Sequence, residues 1–276
     1  MNANDFQLTA ELKEIVFRLN SVENRYLYFN RYSPFNANNK ETVKSEVFRR
    51  VAVSCREEDR LLAAINKRLV AGGKELQETN EYVVTLTLET AAPLIHGLGG
   101  KGVYEVGFTF HPIYGTPYIP GSSLKGIAAA FAQAYHCSRR KTEGSFHLVD
   151  NSGEYAASPL EKLGEKLDQI FGIQDSGGVV DFHDAFPEAG VQLNTDIMTP
   201  HYPGYYQQNE PPADDQHPKP IPFLAVPQET SFTFRVSGQK RHAAQVDQAA
   251  EYLHGGLQEL GAGAKSAAGY GYFREA

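Results

Sequence analysis

The chain has 276 residues, 41% of them hydrophobic, with 15 Tyr, 16 Phe, no Trp and a formal net charge of −7. That is enough for one large domain or two small ones with a real core, and the acidic balance excludes a free-standing, non-specific nucleic-acid coat. Cys55 and Cys137 are too few for a disulfide framework, and Asp5, Glu11, Lys13 and Glu14 break any signal-peptide core. With no apolar run of membrane-spanning length, these features predict a soluble, cytoplasmic protein.

The charge is uneven. Between Gly97 and Thr142, Lys101, Lys125, Arg139, Arg140 and Lys141 face only Glu105, so a basic surface survives inside an acidic chain. Residues 1–80 are also slightly basic, and the spacing of Val43, Val47, Val51, Leu61, Leu62, Ile65 and Leu69 predicts helix from Glu41 to Leu69. Ala71-Gly72-Gly73 should stop it, and Glu75 to Asn80 reads as a linker. The segment 1–80 is therefore expected to be a helical N-terminal extension that precedes a core over 81–276.

Within the core, Tyr82 to Glu89 alternates Val84, Leu86 and Leu88 against Val83, Thr85 and Thr87, which predicts a strand. A glycine-rich loop, His96 to Gly102, follows. It is not a dinucleotide fingerprint, because no helix opens directly after it. Phe108 to Phe110 is a short extended piece, and His111 to Pro117 a turn region. Pro159 to Ile170 and Ala243 to Leu260 carry helical spacing. Gly178 to Phe186, Val191 to Met198, Ile221 to Val226, Ser231 to Val236 and Tyr270 to Phe273 read as strands, with 221–226 and 231–236 a hairpin or strand pair. Polar residues 137–158 and proline-rich residues 199–220 are expected to be long insertions. The element order predicts an α+β fold: an elaborated ferredoxin-like (RRM-like) core with an antiparallel sheet and helices on one side.

The chain is organised around Tyr118 to Gly126, a strand end, a sharp turn and a helix start. Pro120 pushes Ile119 towards extended geometry, and Gly121 permits the turn. Ser122 or Ser123 is expected to cap the helix. Bare amides, two hydroxyls and Lys125 at a helix start suit a phosphate, although the same residues also describe a capped helix whose lysine faces water. The S-x-x-K spacing of Ser122 to Lys125 lacks the accompanying elements of serine acyl-transfer enzymes. Gly261 to Gly269 is a second glycine and lysine loop. It is not a triphosphate loop, since Ala264 stands where glycine is needed and the order is helix then strand. Its amides and Lys265 suit a sugar-phosphate backbone, or simply a tight connection.

Nine histidines raise metal and general-base readings. His136, Cys137 and His147 have no zinc spacing, and no C-x-x-C occurs. Asp181 and His183 share a strand face. His96 and His111 lie in loops, and either is a candidate general base without a sequence partner that fixes a role.

Taken together, Tyr118–Gly126, Gly261–Gly269 and Tyr270-Gly271-Tyr272-Phe273 resemble the RAMP superfamily of CRISPR systems. The closer resemblance is to the sixth-subunit family of the type III-B (Cmr) RNA-guided effector complex. It is carried also by Gly107–Pro117, Asp181–Pro187, Asp196–Tyr202, Pro211–Asp215 and Pro220–Leu224, and covers about 82–276. The resemblance implies a non-catalytic RNA-binding subunit in antiviral defence. Such a subunit holds the 3′ part of the guide RNA and caps the backbone filament. Its partners would be guide RNA, target RNA and other Cmr subunits, above all the RAMP backbone subunit, with no cofactor and no metal. RNA contact is expected at Gly121, Ser122, Ser123, Lys125, Gly261, Gly263 and Lys265, with Lys101, Arg139 and Arg140 as supporting bases. The alternative is a guide-processing endoribonuclease of the same superfamily using His96 or His111.

Overall fold

The computed structural model describes residues 22–33, 40–78, 80–100, 104, 106–142, 166–173, 175–199 and 220–276. They fall into two compact units. One draws on Met1–Leu61, Ile95–Pro117 and Ala189–Pro227, the other on Leu62–Leu94, Tyr118–Glu188 and Gln228–Ala276.

The second unit holds a two-stranded ladder of β2, Gly172–Ile173, and β3, Ser176–Gly177, and is built on a five-stranded antiparallel sheet. Its long central strands are β1, Glu81–Thr90, and β8, Ser231–Gln239. They pair along nearly their whole length, from Glu81 opposite Gln239 to Glu89 opposite Ser231. The alternation of β1 makes this possible: Leu88 and Phe232, Phe234 and Val236 are buried in a layer that Phe273 of β9, Phe273–Glu275, completes. The rings of Phe232 and Phe234 meet Phe273 edge-on at 5.9 and 5.3 Å. Each such buried side chain stabilises the unit by about 1.5–3 kcal/mol relative to exposure. β4, Asp181–Phe182, and β5, Phe186–Pro187, lie on the far side of β8. The sequence suggested one strand from 178 to 186. It is interrupted because Ala185 leaves the ladder to exchange 2.9 Å backbone bonds with Ile119.

Two helices pack with this sheet. α4, Gly121–Thr142, buries Leu124, Ala128 and Ala132 at successive i+4 positions, and α5, Ala243–Glu259, buries Val246, Ala250, Leu253 and Leu257. They approach closely because α5 carries glycines where they touch. A Cβ on Gly256 would lie 2.8 Å from Ile127 Cγ2, and one on Gly255 2.4 Å from the Phe131 ring. The residues expected to begin a polar insertion, 137–142, continue α4, and 143–165 lie outside the described residues. So does most of 199–220. The expected helix at 159–170 is described only from 166, where it is helical to 171.

The first unit holds α1, Arg25–Asn30, α2, Lys40–Ala52, and the start of α3, Arg56–Glu78. It also holds a two-stranded ladder of β6, Asn194–Met198, and β7, Ile221–Ala225. The single helix expected from Glu41 to Leu69 is thus two, broken at Val53–Cys55, where the Cys55 carbonyl accepts from Glu58 N and starts α3. α3 then runs through Gly72-Gly73 to Glu78. A mid-helix glycine costs only about 1 kcal/mol, which flanking helix formers absorb. β7 pairs with β6 and β8 with β1, so the expected hairpin over 221–236 is not formed: the Pro227 turn carries the chain from one unit's ladder to the other's. Phe29, Phe48, Tyr104 and Phe110 form an aromatic core with centroids 5.8–5.9 Å apart. Burial there pushes the Tyr104 hydroxyl up to about 12.

On α2, Glu46 accepts from Arg49 at 2.8 Å and Arg50 at 2.9 Å. The two Arg49 hydrogen bonds, then the one from Arg50, hold its carboxyl down from 4.5 to about 2. A depressed carboxyl stabilises the fold above its unfolded pKa, and that contribution is lost as pH falls from 4.5 through about 2. Glu46→Gln is expected to cost about 0.5–1 kcal/mol in urea unfolding at pH 7, since the pair lies near the surface. At pH 2 the variant and the parent should coincide within error.

Candidate nucleic-acid interface

The turn before α4 is set by its neighbours in the sheet. The Gly121 N–H donates to Asp184 Oδ1 at 2.8 Å, and the Pro120 carbonyl accepts from Ser123 N at 2.9 Å and Leu124 N at 3.2 Å. A Cβ on Gly121 would sit 2.1 Å from the Phe182 carbonyl oxygen, so glycine here lets the helix start press on β4. This corrects the expected cap. Gly121 is already helical, which leaves Ser122 and Ser123 inside the first turn, and the acceptor is Asp184 from the far side of β8. A carboxylate therefore holds the innermost amide. The outward features are the exposed Ser122, the half-buried Ser123 and Lys125, and Gly126, where an added Cβ would meet nothing within 4 Å.

The second segment leaves α5 by a left-handed residue, Gly261 at φ 73°, whose N–H bonds the Gly256 carbonyl at 3.0 Å. Its base is clamped: Ala262 N donates to Gly271 O at 2.8 Å, and Gly271 N to Pro93 O at 2.8 Å. Gly271 must be glycine, since φ is 78° and a Cβ would collide with the Ala262 carbonyl. The loop is not a floppy connection. At its tip Lys265 is left-handed at φ 61°, and the short 3-10 turn Ser266–Ala268 follows. A left-handed residue followed by right-handed ones points consecutive N–H groups to one side, the backbone concavity that holds anions. Among the described residues, no backbone carbonyl accepts from the N–H of Gly263, Ala264, Ser266 or Ala267.

The two segments lie at one end of the helix pair. Ile127 sits against Gly256, Phe131 against Gly255, and His136 Nε2 is 2.7 Å from the Tyr252 hydroxyl. Residue numbers rise along α4 as they fall along α5, so the helices are antiparallel. The start of α4 is therefore on the side where α5 ends and the Gly261 loop begins.

The other predicted bases lie elsewhere on α4 or outside the described residues. Lys101 lies outside the described residues. Arg139 and Arg140 lie on α4 beyond His136, at the opposite end from the turn, and their side chains lie outside the described residues. Of the histidines, His111 Nδ1 accepts from Ile113 N at 3.3 Å and Tyr114 N at 3.2 Å, and its ring stacks on Tyr114 at 4.3 Å. His96 is half-buried, and that desolvation lowers its pKa. His183 Nε2 is 2.8 Å from Ser237 Oγ. Among the described residues no group of three metal-binding side chains occurs, and no helix is long and apolar enough to cross a membrane.

Sequence reasoning missed Asp184 as the helix cap and the amides at Gly263, Ala264, Ser266 and Ala267 that no backbone carbonyl of the described residues accepts from. Nothing in residue spacing announces either, although Asp184 lies within a stretch that carried the resemblance. The two glycines of the turn separate experimentally. Gly126→Ala should gain about 0.5–1 kcal/mol of helix stability, whereas Gly121→Ala should lose about 1–3 kcal/mol by overpacking. Thermal unfolding of both variants decides this.

The RAMP superfamily model matches residues 87–274. The CRISPR system Cmr subunit Cmr6 of Pyrococcus furiosus is 33% identical over 230 residues, covering 69% of this chain and 67% of that protein. The Cmr6 subunit of Saccharolobus solfataricus is 26% identical over 209 residues, covering 72% of this chain and 61% of that one, less than two thirds of its length. In fold, the chain is similar to one in a cryo-EM structure of the type III-B Cmr-beta complex bound to cognate target RNA. The TM-score is 0.58 at 23% identity, over 91% of this chain and 78% of that one. The match takes in both glycine-and-lysine segments, and the chain belongs to the RAMP superfamily.

Proposed function

We propose that this protein is a non-catalytic, RNA-binding subunit of a type III-B CRISPR effector complex. It holds the 3′ part of the guide RNA, caps the filament and packs on the RAMP backbone subunit. The similarity to Cmr6 subunits supports the assembly. The strand order β4-β8-β1-β9, with α4 and α5 packed together, supports a ferredoxin-like core. The observation that carries RNA binding is the shared end of the helix pair, where Lys125, Gly126 and the loop amides around Lys265 lie. Amides and lysines contact phosphate and sugar without reading bases, which suits a subunit that must accept any guide sequence.

Crosslinking of guide RNA to peptides in the assembled complex tests the placement: crosslinks should concentrate at 121–126 and 261–269. The catalytic side is tested on the isolated protein. His111 spends Nδ1, a nitrogen a general base would need, on two turn amides, so incubation with guide RNA without metal should leave the RNA intact. Specific cleavage that His111→Ala abolishes would replace this reading with the endoribonuclease one.

A further inference from the structure

We infer that the outer edge of β1 is a docking site for an extended, basic segment of a partner protein, which adds a strand to the sheet. β9 pairs only with Leu88, Glu89 and Thr90. Among the described residues nothing pairs with Glu81–Thr87 on that side, although β8 covers the other side throughout. The direction of the open groups follows from the ladder. Thr90 N bonds towards β8, at Thr230 O, and Ala91 N bonds towards Tyr272 beside β9. Alternation therefore aims the N–H and C=O of Val83, Thr85 and Thr87 at the open edge. The open stretch spans roughly 20 Å at about 3.3 Å per residue.

A groove of about 970 Å³ runs along this edge. Its floor includes the consecutive residues 84–88. A groove over one face of a strand would be lined by alternate residues, so consecutive lining marks one that follows the strand's edge. The opposite wall comes from α4 and α5. The groove carries three carboxylates, Asp247, Glu251 and Glu275, and no lysine or arginine. Asp247 accepts from the Tyr82 hydroxyl at 2.8 Å and Glu275 lies 2.6 Å from His254 Nε2, while Glu251 is exposed. This lining repels nucleic acid and suits arginine or lysine side chains standing off an added strand. Natural sheets protect open edges with lysine, proline or bulges, and Glu81–Thr87 contains none of these. An edge left open beside an acidic groove fits strand addition, in which backbone bonds give affinity and side chains give selectivity. The site goes beyond the RNA reading and lies on different residues, so each can fail alone.

The test uses the full chain and a synthetic peptide of about seven residues alternating Arg and Val, matched to the open stretch. The control peptide has Glu in place of Arg. Anisotropy titration should show binding of the Arg peptide only, with slowed amide exchange at Val83, Thr85 and Thr87. Thr85→Pro removes one outward donor without touching the bonds to β8, and Glu251→Lys reverses an exposed charge on α5. Each should weaken the Arg peptide about tenfold. If Thr85→Pro fails to fold, Glu251→Lys and the exchange pattern decide. Absence of binding, equal binding of the Glu peptide, protection elsewhere, or displacement of the peptide by single-stranded RNA would overturn the proposal.

Discussion

Replacing Glu58 with alanine is expected to destabilise the protein by about 3–5 kcal/mol, a large part of the stability of an ordinary domain. Arg25 and Glu58 are ion-paired with 1% and 4% of their side chains exposed, and Arg25 also donates to the Val191 carbonyl at 2.7 Å. Removing the carboxylate leaves a buried guanidinium whose Nε and Nη1 already lack partners among the described residues. Burial pushes the Glu58 carboxyl above its usual range and the Arg25 guanidinium below its own, against their mutual attraction. Desolvation thus outweighs pairing. The double variant Arg25→Met with Glu58→Leu should therefore regain most of the loss. Urea unfolding of the single and double variants measures both effects. A single variant within 1 kcal/mol of the parent would show that the pair is not buried as described.

That pair also shows where the sequence stopped being informative. Reading in chain order placed Arg25 and Glu58 in a helical N-terminal extension ending at residue 80. Arg25 also bonds Val191, far along the chain, because a buried charge seeks partners in space and leaves no period in the sequence. β1 and the buried stripes of α4 and α5 were legible, since alternation and i+4 spacing record burial directly. The interruption at His183–Ala185 was not, because it depends on Ile119, far away in the chain. In the candidate site, the glycines and lysines were visible as composition. The left-handed backbone at Lys265 was not, since lysine rarely adopts it and nothing local demands it. The need for glycine at position 121 follows from the Phe182 carbonyl, which the sequence did not show. Gly126, with open space around it, is the better candidate for close approach of an RNA backbone.

The second large effect concerns Lys125 and Lys265. Both belong to segments at the same end of the antiparallel helix pair, and Lys125 makes no ion pair among the described residues. Placed against successive phosphates, each lysine releases counterions when RNA binds. Alanine at either position should weaken guide binding uniformly across sequences and lower the salt slope by roughly 0.7, and the double variant by roughly 1.4. Neither change touches the core, so the unfolding transition should stay where it is. Guide-RNA affinity is therefore to be measured against salt concentration in the assembled complex, for the parent, both single variants and the double variant, with two unrelated guide sequences. The account predicts parallel losses for both sequences and a slope that falls stepwise from parent to single to double variant. An affinity and slope unchanged in the double variant would contradict it, leaving the two segments as structural turns with the RNA bound elsewhere.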